Sequence, residues 1–371
     1  MRRERLKLSK VVLSGYYGFN NAGDELVLYS IIRTLREIEP GISITVLSQQ
    51  PEKTAKQYEV QAVNRWRLFS LIRSIASSEL LISGGGSLFQ DVTSVNSPLY
   101  YWMIIFLAKL MGKKTMIYSQ GVGPLQRPRN RKMLAWLFNR LSKITVRDEG
   151  AKSDLLAMGV NKEIIVTADP VLGIPPQSIE AQLGREILER SGLELIVEQR
   201  LLGVFIRSWE DNSYLPELVK ACDRLALEGW QVVFVPMQFP QDIAVAKQAA
   251  KLMAHETVYL KEMYDPAEML AITKNFDLII GMRLHSLING AVVGVPLVGI
   301  SYDPKIDRFL QQIGQQSLNS VHDLNSETLV QLVNWVHNNR EEIQADMEKR
   351  VKLLYQKAWK SARIAMELWR N

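Results

Sequence analysis

The feature that most constrains the fold is an alternation of short β-branched runs with helix-length amphipathic segments. Residues 10–14 form the first run, and Leu28, Ile31 and Leu35 then recur at helical spacing. Because parallel strands need long crossovers, usually helices, this alternation predicts parallel, doubly wound α/β sheets. Further strands are predicted at residues 42–47, 80–83, 115–119, 144–146, 164–167, 201–206, 231–235, 257–260, 278–280 and 297–300.

The alternation is interrupted by a proline-rich segment that begins at Pro170. At 371 residues the chain is too long for one ordinary hydrophobic core, so two domains are expected. Two Rossmann-like domains facing a central cleft make a GT-B-like fold, with ligands bound beyond the carboxyl ends of the strands. The predicted parts are an N-terminal domain at 1–170, a linker at 171–200, a second domain at 201–345 and a C-terminal helix at 346–371.

Composition narrows the class of protein. The chain is 47% hydrophobic and 23% charged, as in a soluble globular enzyme. Cys222 is the only cysteine, which excludes an internal disulfide framework and a cysteine-rich metal site. The first apolar run is too short for a signal peptide, and residues 99–111, interrupted by Lys109, are too short to span a membrane and predict a buried helix. A cytoplasmic protein is therefore expected.

The net charge of +6 is unevenly distributed. Between Lys109 and Lys143 the chain has nine basic residues and no acidic one. Such a stretch favours anionic partners, which could be membrane headgroups, a pyrophosphate-linked acceptor or nucleic acid. The segment 127–143 could be a helix lying on an anionic membrane or an ordinary domain helix with a basic outer face. We recognise no nucleic-acid-binding motif, and nucleic acid is not predicted as a partner.

Three glycine-containing segments follow predicted strands of the N-terminal half. They are Gly15–Glu25 (GYYGFNNAGDE), Ser83–Asp91 (SGGGSLFQD) and Tyr118–Pro124 (YSQGVGP). Glycines at such positions let backbone amides approach an anion, although a tightly packed turn explains them equally well. The spacing does not match a dinucleotide fingerprint. The candidate cleft residues are Gly15, Gly18, Asn20, Asn21, Gly23, Asp24, Gly84, Gly85, Gly86, Gln120 and Gly121.

Gly281–His285 (GMRLH) lies at the end of a predicted strand in the second domain. If the chain stays extended there, Arg283 and His285 face the same side. A guanidinium binds carboxylate or phosphate oxygens as a fork, and an imidazole transfers protons near neutral pH. The pair therefore suits acid catalysis on an anion. A capping histidine with a solvated arginine is the structural alternative.

Three further basic residues follow predicted strands. Arg147 follows the strand at 144–146, Arg207 follows the strand at 201–206, and Lys305 lies after the strand at 297–300, at the start of a predicted helix. A cation is unfavourable at a helix N-terminus unless an anion joins it, so Lys305 indicates a bound anion, with a solvated surface lysine as the alternative. The remaining histidines, at 255, 322 and 337, are predicted to be surface residues.

The chain resembles the bacterial polysaccharide pyruvyl transferases of the CsaB type in five motifs that occur in the same order. They are the three glycine segments, Val146–Asp148 (VRD) and Gly281–His285. The resemblance implies a GT-B-like fold and transfer of the enolpyruvyl group of phosphoenolpyruvate to a sugar, forming a pyruvate ketal. The implied acceptor is N-acetylmannosamine of a lipid-linked cell-wall polysaccharide precursor. By motif, Arg147, Arg283 and Lys305 would hold the donor, with Arg207 as a weaker assignment, and His285 would be the catalytic acid.

The resemblance makes the N-terminal domain the acceptor side and the second domain the donor side. Phosphoenolpyruvate is then a donor substrate, and neither a cofactor nor a metal is predicted. The expected location is cytoplasmic, with peripheral contact at the inner face of the plasma membrane left open. Two alternatives also stay open: a GT-B glycosyltransferase that uses a nucleotide sugar, and a non-catalytic module that binds sugar or nucleic acid.

Overall fold

A computed structural model describes residues 10–91, 97–123, 125–194, 199–318 and 320–371. The basic N-terminal residues 1–9 lie outside the described residues. The chain divides into two compact units. Unit 1 takes in the chain up to Phe19, Asp24–Gly173 and Leu354–Asn371, and unit 2 takes in Asn20–Gly23 and Ile174–Leu353.

The described strands of unit 1 form a parallel sheet in the order β3-β2-β1-β4-β5-β6-β7. Its elements are β1 Lys10–Tyr17, α1 Ala22–Ile38, β2 Ser43–Ser48, α2 Pro51–Tyr58, β3 Gln61–Asn64, α3 Leu68–Ala76, β4 Leu80–Gly84, α4 Ser97–Leu110, β5 Lys114–Gln120, α5 Pro128–Phe138, β6 Lys143–Val146, α6 Glu149–Ala157 and β7 Ile165–Val166. The strand order changes direction between β1 and β4, where Val12 pairs with Leu81. Short apolar strands such as β4, buried throughout, explain why this sheet forms between two helix layers.

Unit 2 contains a second parallel sheet, in the order β10-β9-β8-β11-β12-β13. Its elements are α7 Ala181–Arg190, β8 Arg200–Phe205, α8 Leu215–Leu227, β9 Trp230–Phe234, α9 Gln241–Leu252, β10 Val258–Tyr259, α10 Pro266–Thr273, β11 Leu278–Gly281, α11 Leu284–Val293, β12 Leu297–Ile300, α12 Pro304–Gln312, β13 Ser317–Leu318, α13 Ser326–Asn338 and the first part of α14 Arg340–Arg370. Its core packs strand residues such as Val204 and Ile280 against α8 and α13, where Cys222 is fully buried.

The structure differs from several of the sequence-based expectations. Residues 61–64 form the edge strand β3, which has no apolar run to reveal it and is mostly half-exposed. The predicted linker 171–200, in which the sequence already indicates one charged helix, belongs to unit 2 from Ile174 onward, and its helix α7 packs on α10. The C-terminal helix begins at Arg340 rather than at 346, and its residues from Leu354 onward belong to unit 1.

α4 was expected to be a buried helix and is buried on one side only. Tyr101, Ile104 and Ala108 lie in the core of unit 1, whereas Leu99 and Met103 are about half exposed. Across the described residues, the structure contains no helix that is both long enough and apolar enough to cross a membrane.

Candidate active site

The best-defined cluster of candidate residues lies at the switch point of the unit 2 sheet. Here β8 and β11 are neighbours, with Val204 opposite Ile280, and helices leave the sheet on opposite faces. Open α/β sheets bind ligands beyond the carboxyl ends of the strands at such a point. Arg207 follows β8 by two residues, and Arg283 follows β11 by two residues. Two of the four cations predicted to bind the donor therefore leave adjacent strands.

Arg283 is held by a carboxylate that the sequence did not reveal. Its Nε lies 2.6 Å from Asp242 Oδ2, and its Nη2 lies 2.7 Å from Oδ1 and 3.1 Å from Gln238 Oε1. This is a two-point fork, the strongest common geometry for a guanidinium and a carboxylate. Asp242 is fully buried, so the fork sets the orientation of Arg283.

Asp242 also joins the loops that follow neighbouring strands. Its carboxylate accepts backbone N–H groups from Met237 and Gln238, after β9, and from Ser208, after β8. With Arg283 after β11, three adjacent strand exits meet at one carboxylate. An aspartate in the first turn of a helix is common for electrostatic reasons, so its sequence position alone carried no sign of this role.

His285 lies in a helix, and the extended geometry considered from the sequence is wrong beyond Arg283. β11 ends at Gly281, Arg283 is the extended residue before α11, and His285 is the second residue of that helix. The chain turns here because the side chains of Leu284 and Leu287 are buried in unit 2. Leu287 packs so closely on residue 281 that only a glycine fits at that position. Arg283 thus precedes the first turn of α11 and His285 lies within that turn, so both residues follow β11 at one helix N-terminus.

The imidazole of His285 packs directly on Gly23. A Cβ atom added at Gly23 would lie 2.4 Å from His285 Nδ1, closer than real contacts allow. Ala22 N donates to Met237 O at 2.8 Å, and Phe239 N donates to Asn20 O at 3.0 Å. Residues Asn20–Gly23 of the first predicted glycine segment thus belong to unit 2, beside the loop that also contacts Asp242.

Arg207 and Tyr302 form the other half of the cluster. Arg207 Nη1 donates to the Tyr302 hydroxyl, and the guanidinium carbon lies 4.2 Å from the Tyr302 ring centroid and 5.1 Å from that of Trp209. Burial lowers the pKa of Arg207, and the neighbouring Arg283 acts in the same direction, against the opposing effect of Tyr302. An anionic ligand would relieve this destabilisation of the cation.

Lys305 lies in the first turn of α12, as the sequence predicted, but its charge is balanced locally. Asp303 caps the helix by accepting Lys305 N–H, and its other oxygen lies 2.8 Å from Lys305 Nζ. Lys305 Nζ is also 5.5 Å from the Tyr302 ring centroid. The position of Lys305 at a helix N-terminus therefore does not by itself require a bound anion, although the side chain adjoins the Arg207 group.

The glycines of unit 1 are explained first by close packing. A Cβ atom at Gly15 would lie 2.5 Å from Gly84 O, and one at Gly86 would lie 2.9 Å from Asp24 Oδ1. Gly86 and Gly18 have φ values of +40° and +79°, which disfavour other residues. These segments meet at the β1–β4 switch point, with Gln120 Nε2 donating to Gly85 O. Their role as cleft loops stays a prediction.

Arg147 is enclosed within unit 1. Only 6% of it is exposed, and its guanidinium lies 3.4 Å from Asp148 Oδ2, 3.6 Å from Asp169 Oδ2 and 3.4 Å from Ser87 Oγ. It packs on Gly121, where an added Cβ would lie 2.4 Å from Nη2. Its assignment to the donor stays a prediction from the resemblance.

Two buried polar residues, one in each unit, were missed from the sequence. Asn289 lies one turn after His285, and within the described ranges neither its Oδ1 nor its Nδ2 has a hydrogen-bond partner. Arg65 donates to Gly15 O at 2.8 Å and lies against the rings of Phe19 and Tyr100. Buried amides are usually paired, so we add Asn289 to the candidate residues.

Comparisons with known structures agree with the two-unit α/β architecture. HepE of Anabaena in complex with UDP-glucose matches with a TM-score of 0.65 at 12% identity, over 96% of this chain and 98% of HepE. The S. aureus MnaA–UDP co-structure matches with a TM-score of 0.68 at 13% identity, over 96% and 94% of the two chains. The predicted GT-B-like class with two Rossmann-like units is confirmed.

Sequence comparison gives the family. AmsJ of Erwinia amylovora, an amylovoran biosynthesis protein, is 22% identical over 402 residues, which cover 92% of this chain and 95% of AmsJ. The family model described as polysaccharide pyruvyl transferase matches residues 21–304, which include Arg147, Arg207, Arg283 and His285. With most of its length matched, this chain belongs to the polysaccharide pyruvyl transferase family.

Proposed function

We propose that the protein transfers the enolpyruvyl group of phosphoenolpyruvate to a sugar, forming a pyruvate ketal and releasing phosphate. One observation carries the proposal. Arg207, Arg283, His285 and Lys305 follow strands β8, β11 and β12 at the switch point of unit 2 and combine three cations with one imidazole. Phosphoenolpyruvate carries a phosphate and a carboxylate, which such a cluster suits.

The cations divide the work of binding. Arg283, fixed by Asp242, presents a preset guanidinium edge to one anionic group of the donor. Arg207 and Lys305, which both adjoin the Tyr302 ring, face the other group and stabilise the charge that develops on the leaving phosphate. Burial already disfavours the positive charge of Arg207, so a dianionic phosphate bound beside it would stabilise that charge and bind more tightly.

The chemistry needs one acid and two sugar hydroxyls. His285 protonates the methylene carbon of phosphoenolpyruvate, giving a methyl group and positive character at the adjacent carbon. One hydroxyl attacks that carbon and loses its proton, phosphate leaves, and a second hydroxyl attacks to close the ketal. Of the two protons released, one replaces that given by His285 and the other leaves with phosphate. An imidazole suits this transfer because it titrates near neutral pH.

For the acceptor we propose N-acetylmannosamine of a lipid-linked cell-wall polysaccharide precursor, as in CsaB-type enzymes. AmsJ is named for amylovoran biosynthesis, which supports a saccharide acceptor without specifying the sugar. Such an acceptor is held at a membrane surface, so the protein would work in the cytoplasm at the inner face of the plasma membrane. The proposed reaction requires neither a cofactor nor a metal.

The direct test supplies phosphoenolpyruvate and a panel of lipid-linked or soluble sugar acceptors to the purified full chain. We expect phosphate release that depends on acceptor, and a product in which one carboxyethylidene group has replaced two hydroxyl hydrogens. In D₂O the new methyl group should carry one deuterium, because the methylene carbon receives an exchangeable proton. Release of UDP from a nucleotide sugar, with transfer of the sugar itself, would instead establish the glycosyltransferase alternative.

Lys305 offers a test of the donor site by binding alone. Lys305→Ala should weaken phosphoenolpyruvate binding by about tenfold or more, the loss typical of a hydrogen bond to a charged group. The measurement is the rise in thermal midpoint with ligand, since a ligand at 100 times its dissociation constant stabilises by about 2.7 kcal/mol.

Asp303→Asn is the matched control. Asparagine caps a helix about as well as aspartate, and it removes the carboxylate that holds Lys305 Nζ. Donor binding should therefore be unchanged or tighter in this variant. If Lys305→Ala keeps the full thermal response, or if UDP-glucose stabilises the protein more than phosphoenolpyruvate, the proposed donor site is wrong.

A further inference from the structure

One layer of unit 1 has an outer surface unlike that of an ordinary soluble domain. Helices α3, α4 and α5 pack side by side, and their inner residues, such as Leu71, Ile104 and Leu134, share one hydrophobic core. They lie on the same face of the sheet, since each makes the same right-handed crossover toward β7. The outer sides of these three helices form one continuous layer surface of unit 1.

Large apolar side chains are concentrated on that surface. On α4, apolar residues at positions 99, 103, 106 and 110 form a stripe along one side of the helix. A surface helix of a soluble domain would carry polar residues on that side. The exposed large apolar side chains of this layer are Trp66, Leu68, Phe69, Leu99, Met103, Leu110 and Trp136. Contiguous apolar exposure of this kind marks an interaction site.

Aromatic contacts link the three helices across the surface. Trp66 lies 5.1 Å from Tyr100, joining the start of α3 to α4, and Trp136 of α5 lies 5.9 Å from Phe106 of α4. Trp102 Nε1 also donates to Met133 O. Tryptophan and tyrosine, with an apolar body and a polar edge, are the residues enriched where proteins meet the headgroup region of a bilayer.

The charge on this surface has one sign. The sequence has no Asp or Glu from residue 65 to 78 or from residue 97 to 147. The exposed basic residues of the layer are Arg67, Arg73, Arg127, Arg129, Arg131, Lys132 and Arg140. By contrast, α1 and α2, on the other face of the sheet, carry Glu37 and Glu52. The basic charge is therefore confined to the layer of α3, α4 and α5, because α6, which makes the same crossover, carries Glu149 and Asp154.

We propose that the outer surface of α3, α4 and α5 binds an anionic lipid bilayer. The apolar side chains would enter the headgroup boundary while the arginines and lysines contact acidic headgroups, the combination that gives peripheral membrane binding. Nucleic acid would match the charge but not the exposed Leu68, Phe69 and Leu99. A second copy of the chain would place like charges against one another.

The test is flotation of the full chain with vesicles of phosphatidylcholine alone or mixed with phosphatidylglycerol. We expect binding that requires phosphatidylglycerol and weakens as salt is raised, because surface charges are screened. Binding needs no donor or acceptor, so its failure would leave the proposed reaction untouched. Phosphate release from phosphoenolpyruvate with a soluble acceptor, measured on the same preparations, tests that reaction separately.

Two variants separate charge from apolar contact. Arg67→Gln with Arg129→Gln and Lys132→Gln should lower partitioning about 100-fold, at about fivefold for each lost charge. The matched control, Lys220→Gln with Lys247→Gln and Lys251→Gln, removes as many exposed charges from α8 and α9 and should not change it. Leu68→Ser with Phe69→Ser should also reduce binding, with an unchanged thermal midpoint because both side chains are exposed.

Several results would overturn the proposal. One is equal binding to both kinds of vesicle, and another is equal binding by the charge variant and its control. Absence of vesicle binding, with a concentration-dependent dimer that Leu68→Ser with Phe69→Ser abolishes, would assign the surface to a second copy. Salt-sensitive binding to a nucleic-acid duplex, with none to vesicles, would assign it to nucleic acid.

Discussion

Replacing His285 by alanine is expected to lower the rate of pyruvyl transfer by about 10²- to 10⁴-fold, the usual contribution of a general acid. Phosphoenolpyruvate should still bind, because the proposed contacts of the donor are made by Arg207, Arg283 and Lys305. The loss should thus appear in kcat, measured by phosphate release, while the thermal response to phosphoenolpyruvate persists.

Two further variants make this prediction specific. His322→Ala removes an exposed histidine of the same unit and should leave turnover unchanged. Gly23→Ala keeps His285 but inserts a methyl group against its imidazole, so it should displace the ring and also lower kcat. A near-normal rate in His285→Ala would remove the residue from the catalytic role proposed for it.

Much of the fold could be predicted because its signals are local. A buried parallel strand such as β4 is a short apolar run, and α1 shows its helical period directly. The edge strand β3 has little apolar character because an edge is partly solvated, so no pattern revealed it. α7 was assigned to a linker because the proline-rich segment before it looks like a boundary.

The candidate site was predictable only in its exposed chemistry. Arg283 and His285 follow a strand, and the local sequence shows that. Asp242, however, meets Arg283 from 41 residues away, and only the sheet order brings the two together. Likewise, Gly23 contacts His285 because residues 20–23 pair with the loop after β9, which no local pattern in either segment encodes. Long-range pairs of this kind arise from topology.

The Asp242–Arg283 pair leads to the second large effect. We expect Asp242→Asn to lower both the stability of the protein and its catalytic activity. The substitution leaves the mostly buried guanidinium of Arg283 without its counter-charge and weakens the acceptor of three backbone N–H groups. Breaking a buried ion pair typically costs about 3–5 kcal/mol. For a unit of this size that corresponds to a fall of roughly 6–20 °C in the thermal midpoint.

Asp346→Asn is the matched control, because Arg350 Nε lies 2.7 Å from Asp346 Oδ2 but both side chains are about half exposed. An exposed i,i+4 pair contributes about 0.5 kcal/mol or less, so the control should barely move the midpoint.

At a temperature where Asp242→Asn is still folded, kcat/KM for phosphoenolpyruvate should fall about 100-fold, since Arg283 is no longer held in place. Equal midpoints for the two variants would mean that the Asp242–Arg283 pair does not stabilise the switch point. Lower stability with unchanged kcat/KM would mean that Asp242 supports the fold alone, and that Arg283 takes its working position from α11 instead.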